Sequence, residues 1–325
     1  MSSDVLVTGA TGFVGSNLLK KLIEKDARVR CFVRNGKSLK ESYKSIEIFE
    51  GDILNEDSCF EALKGIKTIY HVAGLGLSKI VENPLFNEQS TQTLLQAANR
   101  YNKELTFVYV SSIKAVGPCS NGGINENKNY EPTDSYGISK ANAEKKIFKH
   151  ANSQIKYLIV RPPAIYGPGD QNLLPLFKFI HRGIQPVLLG NNLSQFSMVY
   201  VEDLVDCLLN APSIIKHSDI LNISNKELIT WNYFFSVGSI LSSNKIKRVY
   251  LPHNGLYYTL YVIAKVLEIL NKTQVLPLSR VNDLLKYNWV TETVKLEEQY
   301  SLYCKTPLTE GLENTYNWYL ENKWL

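Results

Sequence analysis

Tyr136 and Lys140 are the residues whose types and spacing most directly suggest chemistry. Residues at i and i+4 share one face of a helix, so these two side chains are expected to be neighbours. A lysine beside a phenol favours the phenolate and is expected to lower the pKa of Tyr136 from its reference value of about 10. Such a phenol can exchange a proton with a carbinol while a nicotinamide takes or gives the hydride.

Two serines, Ser111 and Ser112, follow an apolar run over residues 106–110 that predicts a strand. A serine hydroxyl in this position can hold the reacting oxygen by a hydrogen bond. The Tyr-x-x-x-Lys pattern alone is a weak signal, because both residues are common on exposed helices. A serine at a strand end upstream of that pattern strengthens the prediction of a catalytic set.

Three glycines at positions 9, 12 and 15 separate an apolar run over residues 4–7 from a helical pattern of apolar residues. Glycines in such a turn allow a tight bend and let the backbone approach a pyrophosphate. Free N–H groups and the positive end of the helix dipole then face the phosphates. This context favours a dinucleotide site over an ordinary turn between a strand and a helix.

Arg34 ends the second predicted strand, residues 28–33, where NAD enzymes usually carry a carboxylate that binds the ribose 2′-hydroxyl. An arginine can instead bind a 2′-phosphate with two hydrogen bonds. Lys37 and Lys40 follow and would reinforce a basic pocket. The prediction is NADP in preference to NAD; the alternative is a solvated basic loop.

The octet Thr-Gly-Ala-Thr-Gly-Phe-Val-Gly over residues 8–15 resembles the nucleotide-binding turn of the extended short-chain dehydrogenase/reductases. The resemblance implies that Ser112, five residues before Gly117, is the catalytic serine, in preference to Ser111. It also implies that Asn87 helps to order the active site, with helix packing as the alternative role. His71 is expected to be a packed strand residue. No metal site is expected.

The same resemblance implies a set of cofactor-binding residues. An aspartate at position 52 binds the adenine amino group in the family, residues 72–74 line the cofactor, and a proline-rich segment at 161–169 closes over the nicotinamide. The predicted cofactor-binding residues are Gly9, Thr11, Gly12, Phe13, Val14, Arg34, Asp52, Ile53, Val72, Ala73, Gly74, Tyr136, Lys140, Pro162 and Ala164.

Composition excludes several classes of protein. A formal charge of +5 over 325 residues, with no long basic block, argues against nucleic acid as a partner. The five cysteines are scattered and the five histidines are dispersed, which argues against a disulfide framework and a zinc site and indicates a reducing cytoplasm. The chain enters a strand at once, so no signal peptide is expected. No segment is long and uncharged enough to predict a transmembrane helix.

The predicted fold is α/β, a Rossmann-like doubly wound parallel sheet with a smaller C-terminal substrate-binding lobe. Residues 1–165 are predicted to form the NADP-binding domain, to which residues 197–225 return. Residues 166–196 and 226–325 are predicted to form the substrate lobe. By analogy with the family, a homodimer is plausible.

The predicted function is an NADP-dependent oxidoreductase that interconverts a secondary alcohol and a ketone. The chain looks most like the dihydroflavonol reductase and 3β-hydroxysteroid dehydrogenase branch. A nucleotide-sugar epimerase with retained NAD(P) is the first alternative, although such relatives usually have asparagine at the position of Ala164 and an arginine near Gln195 or Phe196. Dehydratases usually have acidic residues where Ile113 and Lys114 stand. A non-catalytic NADP-binding protein is the third alternative, but Tyr136 and Lys140 are both retained.

The predicted substrate is a small molecule, lipophilic or uncharged near the reacting carbon, because a buried diphosphate without cationic partners is unfavourable. Residues 255–271 carry more apolar side chains than a solvated helix needs. Part of this helix is expected to cover the cleft or rest on a membrane surface. The alternative is a helix packed on all sides inside the small lobe.

Overall fold

The computed structural model describes residues 4–43, 45–76, 79–101, 103–120, 122–190, 194–270 and 278–325. Its strands are β1 (Val5–Thr8), β2 (Val29–Val33), β3 (Glu47–Glu50), β4 (Thr68–His71), β5 (Leu105–Val110), β6 (Ile155–Arg161), β7 (Ala164–Tyr166), β8 (Ile184–Leu189), β9 (Gln195–Phe196), β10 (Met198–Tyr200), β11 (Asp219–Asn222), β12 (Ile229–Thr230) and β13 (Lys247–Pro252). Its helices are α1 (Phe13–Glu24), α2 (Lys37–Ser42), α3 (Glu56–Ala62), α4 (Phe86–Tyr101), α5 (Ser135–His150), α6 (Leu174–His181), α7 (Val201–Ile214), α8 (Trp231–Ser239), α9 (His253–Ile269), α10 (Leu278–Leu285), α11 (Val294–Glu298) and α12 (Leu308–Glu321).

One seven-stranded parallel sheet has the order β11-β6-β5-β4-β1-β2-β3. Chain order therefore reverses between β1 and β4, as it does in a doubly wound dinucleotide-binding fold. This reversal matters because the carboxyl ends of neighbouring strands diverge there and leave room for a ligand. The predicted fold class is confirmed.

Both faces of the sheet are covered, which explains why its strands read as short apolar runs. Successive side chains of a strand point to opposite faces, and Leu6 and Val7 of β1 belong to two different core clusters. Val7 packs in the cluster that includes Leu18 of α1 and Leu204 of α7. Leu6 packs in the cluster that contains residues of α3, α4 and α5.

The C-terminal part of the chain packs around a third, largely aromatic core. Phe177 of α6 contacts Phe234 of α8 and Tyr319 of α12, with ring centroids 6.3 and 5.0 Å apart. Three two-stranded sheets, β7 with β10, β8 with β13 and β9 with β12, connect these helices to the rest of the protein. The exact division into a cofactor domain and a substrate lobe stays a prediction.

Helix α9 lies at the edge of this C-terminal part. Ala264 is its one fully buried residue, and several of its large apolar side chains are exposed. The alternative that this helix is packed on all sides is therefore wrong. Asn271, the last residue of the predicted helix, lies outside the described residues. Within the described residues, no helix is long and apolar enough to cross a membrane.

Candidate active site

Segments that follow four strands of the parallel sheet line one cavity of about 570 Å³. Gly9 follows β1, Val72 follows β4, Ser112 follows β5 and Pro162 follows β6, so the cavity lies at the carboxyl edge where the strand order reverses. The predicted site residues in its wall are Gly9, Gly12, Phe13, Val14, Val72, Gly74, Ser112, Tyr136, Lys140, Pro162 and Ala164. The predicted residues that do not line it are Thr11, Arg34, Asp52, Ile53 and Ala73.

The glycine turn is as tight as the sequence predicts. Gly9 has a φ of +75°, and a Cβ there would lie 2.6 Å from the Ala73 nitrogen. A Cβ on Gly15 would lie 2.0 Å from the Gly9 oxygen, so the strand–helix contact requires glycine. The N-cap residue of α1 is Gly12, so no capping side chain binds the first N–H groups of the helix, and the first turn has no acidic residue. This helix N-terminus faces the cavity, so it fits an anion such as a pyrophosphate.

Helix α5 brings Tyr136 and Lys140 to the cavity. The helix begins after Asp134, whose carboxylate accepts a hydrogen bond from the Gly137 nitrogen at 2.7 Å. Lys140 is buried, and its ammonium donates to the Val110 carbonyl at 2.7 Å. The same nitrogen lies 6.0 Å from the centre of the Tyr136 ring. The phenol and the ammonium therefore share one wall, as their spacing predicts.

The predicted direction of the Tyr136 pKa is wrong for this structure. Burial raises the pKa of Tyr136 to about 12, while a hydrogen bond with Ser112 lowers it in part and the charge of Asp134 raises it. Burial also lowers the pKa of Lys140 to about 8, although the charge of Glu144 opposes that change. Removal from water outweighs the hydrogen bond with Ser112, so the phenol is protonated at neutral pH.

The two serines after β5 have different partners. Ser111 donates to Glu144, a buried carboxylate that also forms an ion pair with Arg161 at 2.6 Å. The Ser112 hydroxyl accepts a hydrogen bond from the Lys114 backbone nitrogen at 3.2 Å. It also forms a hydrogen bond with the Tyr136 hydroxyl. Ser111 is thus tied into a buried network, whereas Ser112 is the serine beside the phenol.

Asn87 of α4 fastens two parts of the site together. Its side chain accepts from the Leu75 nitrogen at 2.7 Å, donates to the Leu75 oxygen at 3.1 Å and donates to the Ser139 hydroxyl at 2.9 Å. A Cβ on Gly74 would lie 3.0 Å from the Asn87 oxygen and 3.4 Å from the Lys140 nitrogen. The segment after β4 is therefore held against α5, and the supporting role of Asn87 in the active site stays a prediction.

His71 is a packed strand residue, as expected. It is fully buried and its two ring nitrogens lie 2.8 Å from the Thr8 hydroxyl and 3.1 Å from the Thr91 hydroxyl. Burial, assisted by the charge of Lys140, lowers the pKa of His71 to about 3. The imidazole is therefore neutral and connects β1, β4 and α4.

The residues predicted to hold the adenosine half lie beyond the cavity, at the ends of β2 and β3. Arg34 and Lys37 are exposed, whereas the Lys40 ammonium forms an ion pair with Glu50 at 2.7 Å. Asp52 accepts a hydrogen bond from the Leu54 nitrogen at 3.0 Å. Asn55, rather than Asp52, caps α3 by accepting from the Ser58 nitrogen at 2.8 Å.

The part of the cavity wall that comes from residues 196–289 forms its far end; it is largely apolar, and no sequence motif marks it. Trp231 and Trp289 lie there beside Phe196, and the rings of Phe196 and Trp231 are 4.6 Å apart. Phe196 lies in β9 and Trp231 directly follows β12, so the pairing of these two strands brings the two rings together. They are separated by a long stretch of sequence and carry no motif, so only the fold reveals their proximity.

Charged groups also reach this end of the cavity. The Lys114 ammonium bridges Asp134 and Asp283, and it lies 2.6 Å from the Asp283 carboxylate. Arg280 of α10 lies in the wall and is exposed. Arg280 lies far in the sequence from Gln195, the position near which relatives with a diphosphate substrate usually have an arginine. Among the described residues, no group of His, Cys, Asp and Glu is arranged to hold a metal ion.

Comparison with known proteins agrees with this geometry. Residues 5–224 match the model of the NAD-dependent epimerase/dehydratase family. The chain belongs to this family. It is therefore an enzyme of the NAD(P)-dependent extended short-chain dehydrogenase/reductase type, as the resemblance implied.

Individual relatives differ in what they act on. A ceramide reductase of Caulobacter vibrioides is 27% identical over 330 residues, which cover 99% of this chain and 96% of that protein. A 3β-hydroxysteroid dehydrogenase/Δ5→4-isomerase of Mycobacterium tuberculosis is 33% identical over 62% of this chain and 58% of its own length. The structure of a UDP-glucose 4-epimerase of Thermotoga maritima superimposes with a TM-score of 0.77. It is 21% identical and covers 98% of this chain and 99% of its own, so it supports the fold alone.

Proposed function

We propose that this protein is an NADP-dependent oxidoreductase that interconverts a secondary alcohol and a ketone on a lipophilic small molecule. One observation carries the proposal: Ser112, Tyr136 and Lys140 meet in the wall of a cavity that also contains the glycine turn. A bound nicotinamide supplies or accepts the hydride. The chain's own residues then have to hold the reacting oxygen and move one proton.

In this proposal Tyr136 is the proton donor for the carbonyl oxygen. A phenol whose pKa is raised to about 12 holds its proton at neutral pH, which suits the reductive direction. Ser112 orients the same oxygen by a hydrogen bond. Lys140, fixed by the Val110 carbonyl at 2.7 Å, places a positive charge beside the phenol and stabilises the phenolate after proton transfer.

The choice of NADP rests on Arg34. Its guanidinium is exposed at the end of β2, next to the exposed Lys37. A guanidinium can bind a 2′-phosphate with two hydrogen bonds, whereas a carboxylate in this place would repel it. The N-terminus of α1, with Gly12 to Val14, would hold the pyrophosphate, and Pro162 and Ala164 would border the nicotinamide.

A lipophilic substrate is supported by the apolar end of the cavity, where Phe196, Trp231 and Trp289 form much of the wall. Aromatic walls bind apolar groups through the area that they remove from water. The full-length similarity to a ceramide reductase and the partial similarity to a 3β-hydroxysteroid dehydrogenase point in the same direction. We propose a long-chain or polycyclic substrate whose reacting ketone lies at Tyr136.

Arg280 favours a second candidate, a nucleotide-sugar epimerase. Its exposed guanidinium lies in the cavity wall and could pair with a diphosphate. Asp283, three residues further along α10, lies in the same wall and would repel that diphosphate, although Lys114 neutralises part of its charge.

The two candidates differ in the fate of the cofactor, because an epimerase returns its hydride to the substrate. The test incubates purified protein and NADPH with a 3-oxosteroid or a long-chain ketone, and in parallel with UDP-glucose. Stoichiometric NADPH oxidation with a ketone supports the oxidoreductase. Conversion of UDP-glucose without net cofactor oxidation, and no turnover of either ketone, supports the epimerase instead.

A further inference from the structure

The outward face of α9 is mostly apolar, with Thr259 as the exposed polar residue between Tyr258 and Ile263. Its exposed side chains recur at helical spacing, and the exposed fraction of each exceeds two-fifths: Tyr258 64%, Val262 58%, Ile263 43%, Val266 49%, Ile269 79% and Leu270 58%. A helix in a water-soluble fold normally turns its apolar stripe toward the core. Here the apolar stripe faces outward, and a continuous exposed patch of this kind marks an interaction surface.

The inward face of α9 is fixed to α10, so the helix is not loosely attached. The Tyr257 hydroxyl donates to the Asn282 side chain at 3.0 Å, and the His253 ring lies 2.7 Å from the Leu285 carbonyl. Ala264 is the buried residue of this helix. Rotating the helix to hide its apolar stripe would break these contacts, so the outward orientation is a property of the fold.

The segment that leads into α9 carries exposed positive charge. Residues 244–270 contain four basic side chains and one acidic side chain. Lys245, Lys247 and Arg248 are exposed on the segment that leads into α9, while Lys265 and Glu268 neutralise each other at 2.8 Å. An exposed apolar helical face that follows a segment of exposed basic residues combines the two features that bind anionic lipid surfaces.

We propose that the face formed by Tyr258, Val262, Ile263, Val266, Ile269 and Leu270 docks on an anionic lipid membrane surface, with α9 lying in the plane of the interface. Val262 and its neighbours would enter the acyl boundary, while Lys247 and Arg248 would contact lipid phosphates. Because α10 packs on α9 and also lines the cavity through Arg280 and Leu284, the docking face and the substrate end of the cavity lie on the same helix pair. The proposal does not depend on the reaction proposed above.

The test is flotation of the full-length protein with vesicles of phosphatidylcholine, with and without phosphatidylglycerol. The matched variants are Val262→Glu/Val266→Glu on the docking face and Val294→Glu/Leu320→Glu elsewhere. Val294 and Leu320 are apolar and exposed to 58% and 41%, which matches the first pair closely. A third variant, Lys247→Glu/Arg248→Glu, reverses the charge of two residues on β13 and leaves the residues of α9 unchanged, although it also removes the 3.3 Å hydrogen bond from Arg248 to Gln185.

The expected result is flotation of the unmodified protein with phosphatidylglycerol vesicles, weaker at high salt and weaker still with phosphatidylcholine alone. Val262→Glu/Val266→Glu and Lys247→Glu/Arg248→Glu should each weaken binding about tenfold or more, and Val294→Glu/Leu320→Glu should leave it unchanged. Thermal unfolding within a few degrees of the unmodified protein shows that each variant is folded.

The proposal is overturned if the unmodified protein binds no vesicle, or if the two apolar-to-Glu pairs weaken flotation equally. It is also overturned if sedimentation equilibrium shows a dimer that Val262→Glu/Val266→Glu converts to a monomer and no vesicle binding is found. In that case a second copy of the chain covers the face. A proposed reductase activity that fails with every ketone would leave the flotation result unaffected.

Discussion

The catalytic edge of the sheet and the C-terminal segment, residues 226–325, use polar groups differently. At the catalytic edge, buried polar side chains such as Asn87 and Glu144 are each bound to several partners. In the C-terminal segment, α9 is held through the Tyr257 hydroxyl, 3.0 Å from the Asn282 side chain, and the His253 ring, 2.7 Å from the Leu285 carbonyl, and it exposes apolar side chains. Under the proposed function, the reacting groups thus lie on a scaffold of polar side chains with several partners each, while the substrate is contacted partly by a segment that also exposes an apolar helix face.

The largest expected effect is the loss of turnover in Tyr136→Phe, a change that removes the proposed proton-donating hydroxyl and keeps the ring. The turnover number should fall about 100- to 10,000-fold, while cofactor affinity changes little. Tyr258→Phe makes the same change on an exposed side chain and serves as the control. Steady-state kinetics and a cofactor titration on a confirmed substrate measure both quantities. Near-normal turnover in Tyr136→Phe would show that the catalytic edge does not perform this chemistry.

The buried ion pair beneath the catalytic edge gives the next largest effect. Glu144→Gln leaves the Arg161 guanidinium, now 2.6 Å from the carboxylate, buried without its counter-charge. The free energy of unfolding should fall by about 3–5 kcal/mol. Glu268→Gln removes an exposed pair with Lys265 and should leave the free energy of unfolding nearly unchanged, because solvent screens such a pair. Denaturant unfolding compares the two variants, and similar losses would contradict the contrast between the regions.

Because His71 is buried and neutral, the free energy of unfolding is expected to depend on pH. Its pKa is lowered from 6.5 to about 3, so the unfolded chain binds the proton more tightly than the folded one. The stability that this histidine contributes is present above about pH 6.5 and is lost as the pH falls toward about 3, by a few kcal/mol in total. Unfolding free energies measured across that range should fall less steeply in His71→Gln. His217→Asn, at an exposed position, should keep the original slope.

The smallest predicted effect concerns Arg34, which lies outside the cavity. Arg34→Asp should weaken NADP binding by about 1–3 kcal/mol, or roughly 10- to 100-fold, because a charged hydrogen bond is lost. NAD affinity in the same variant is the internal control and should change little or improve. Calorimetric titration of both cofactors measures these values. Equal affinity of the unmodified protein for NAD and NADP would remove the proposed role of Arg34.

Much of the catalytic edge could be predicted from the sequence, because each part depends on local pattern. The strand predicted over residues 28–33 is observed as Val29–Val33, and residues 9–15 and 136–140 are motifs in continuous sequence. The Tyr136 pKa was predicted in the wrong direction because burial depends on the whole fold. The aromatic end of the cavity could not be predicted either, because Phe196, Trp231 and Trp289 meet only through tertiary packing.

In the C-terminal segment, too, the sequence pattern alone does not predict how an element is oriented in the fold. The apolar pattern of α9 was visible in the sequence, but the pattern does not say which way its stripe faces. Packing on α10 decides that, through Tyr257 and its contact with Asn282. Arg280 was missed because a single arginine outside any motif carries no signal until α10 is placed against the cavity.

The most direct measurement of the central claim follows NADPH absorbance while the purified protein is given a long-chain ketone, a 3-oxosteroid or UDP-glucose. An oxidoreductase with an apolar substrate end should oxidise one NADPH for each ketone reduced to a secondary alcohol, and this turnover should disappear in Tyr136→Phe. UDP-glucose should be left unchanged. Conversion of UDP-glucose without cofactor loss, with neither ketone reduced, would contradict the account.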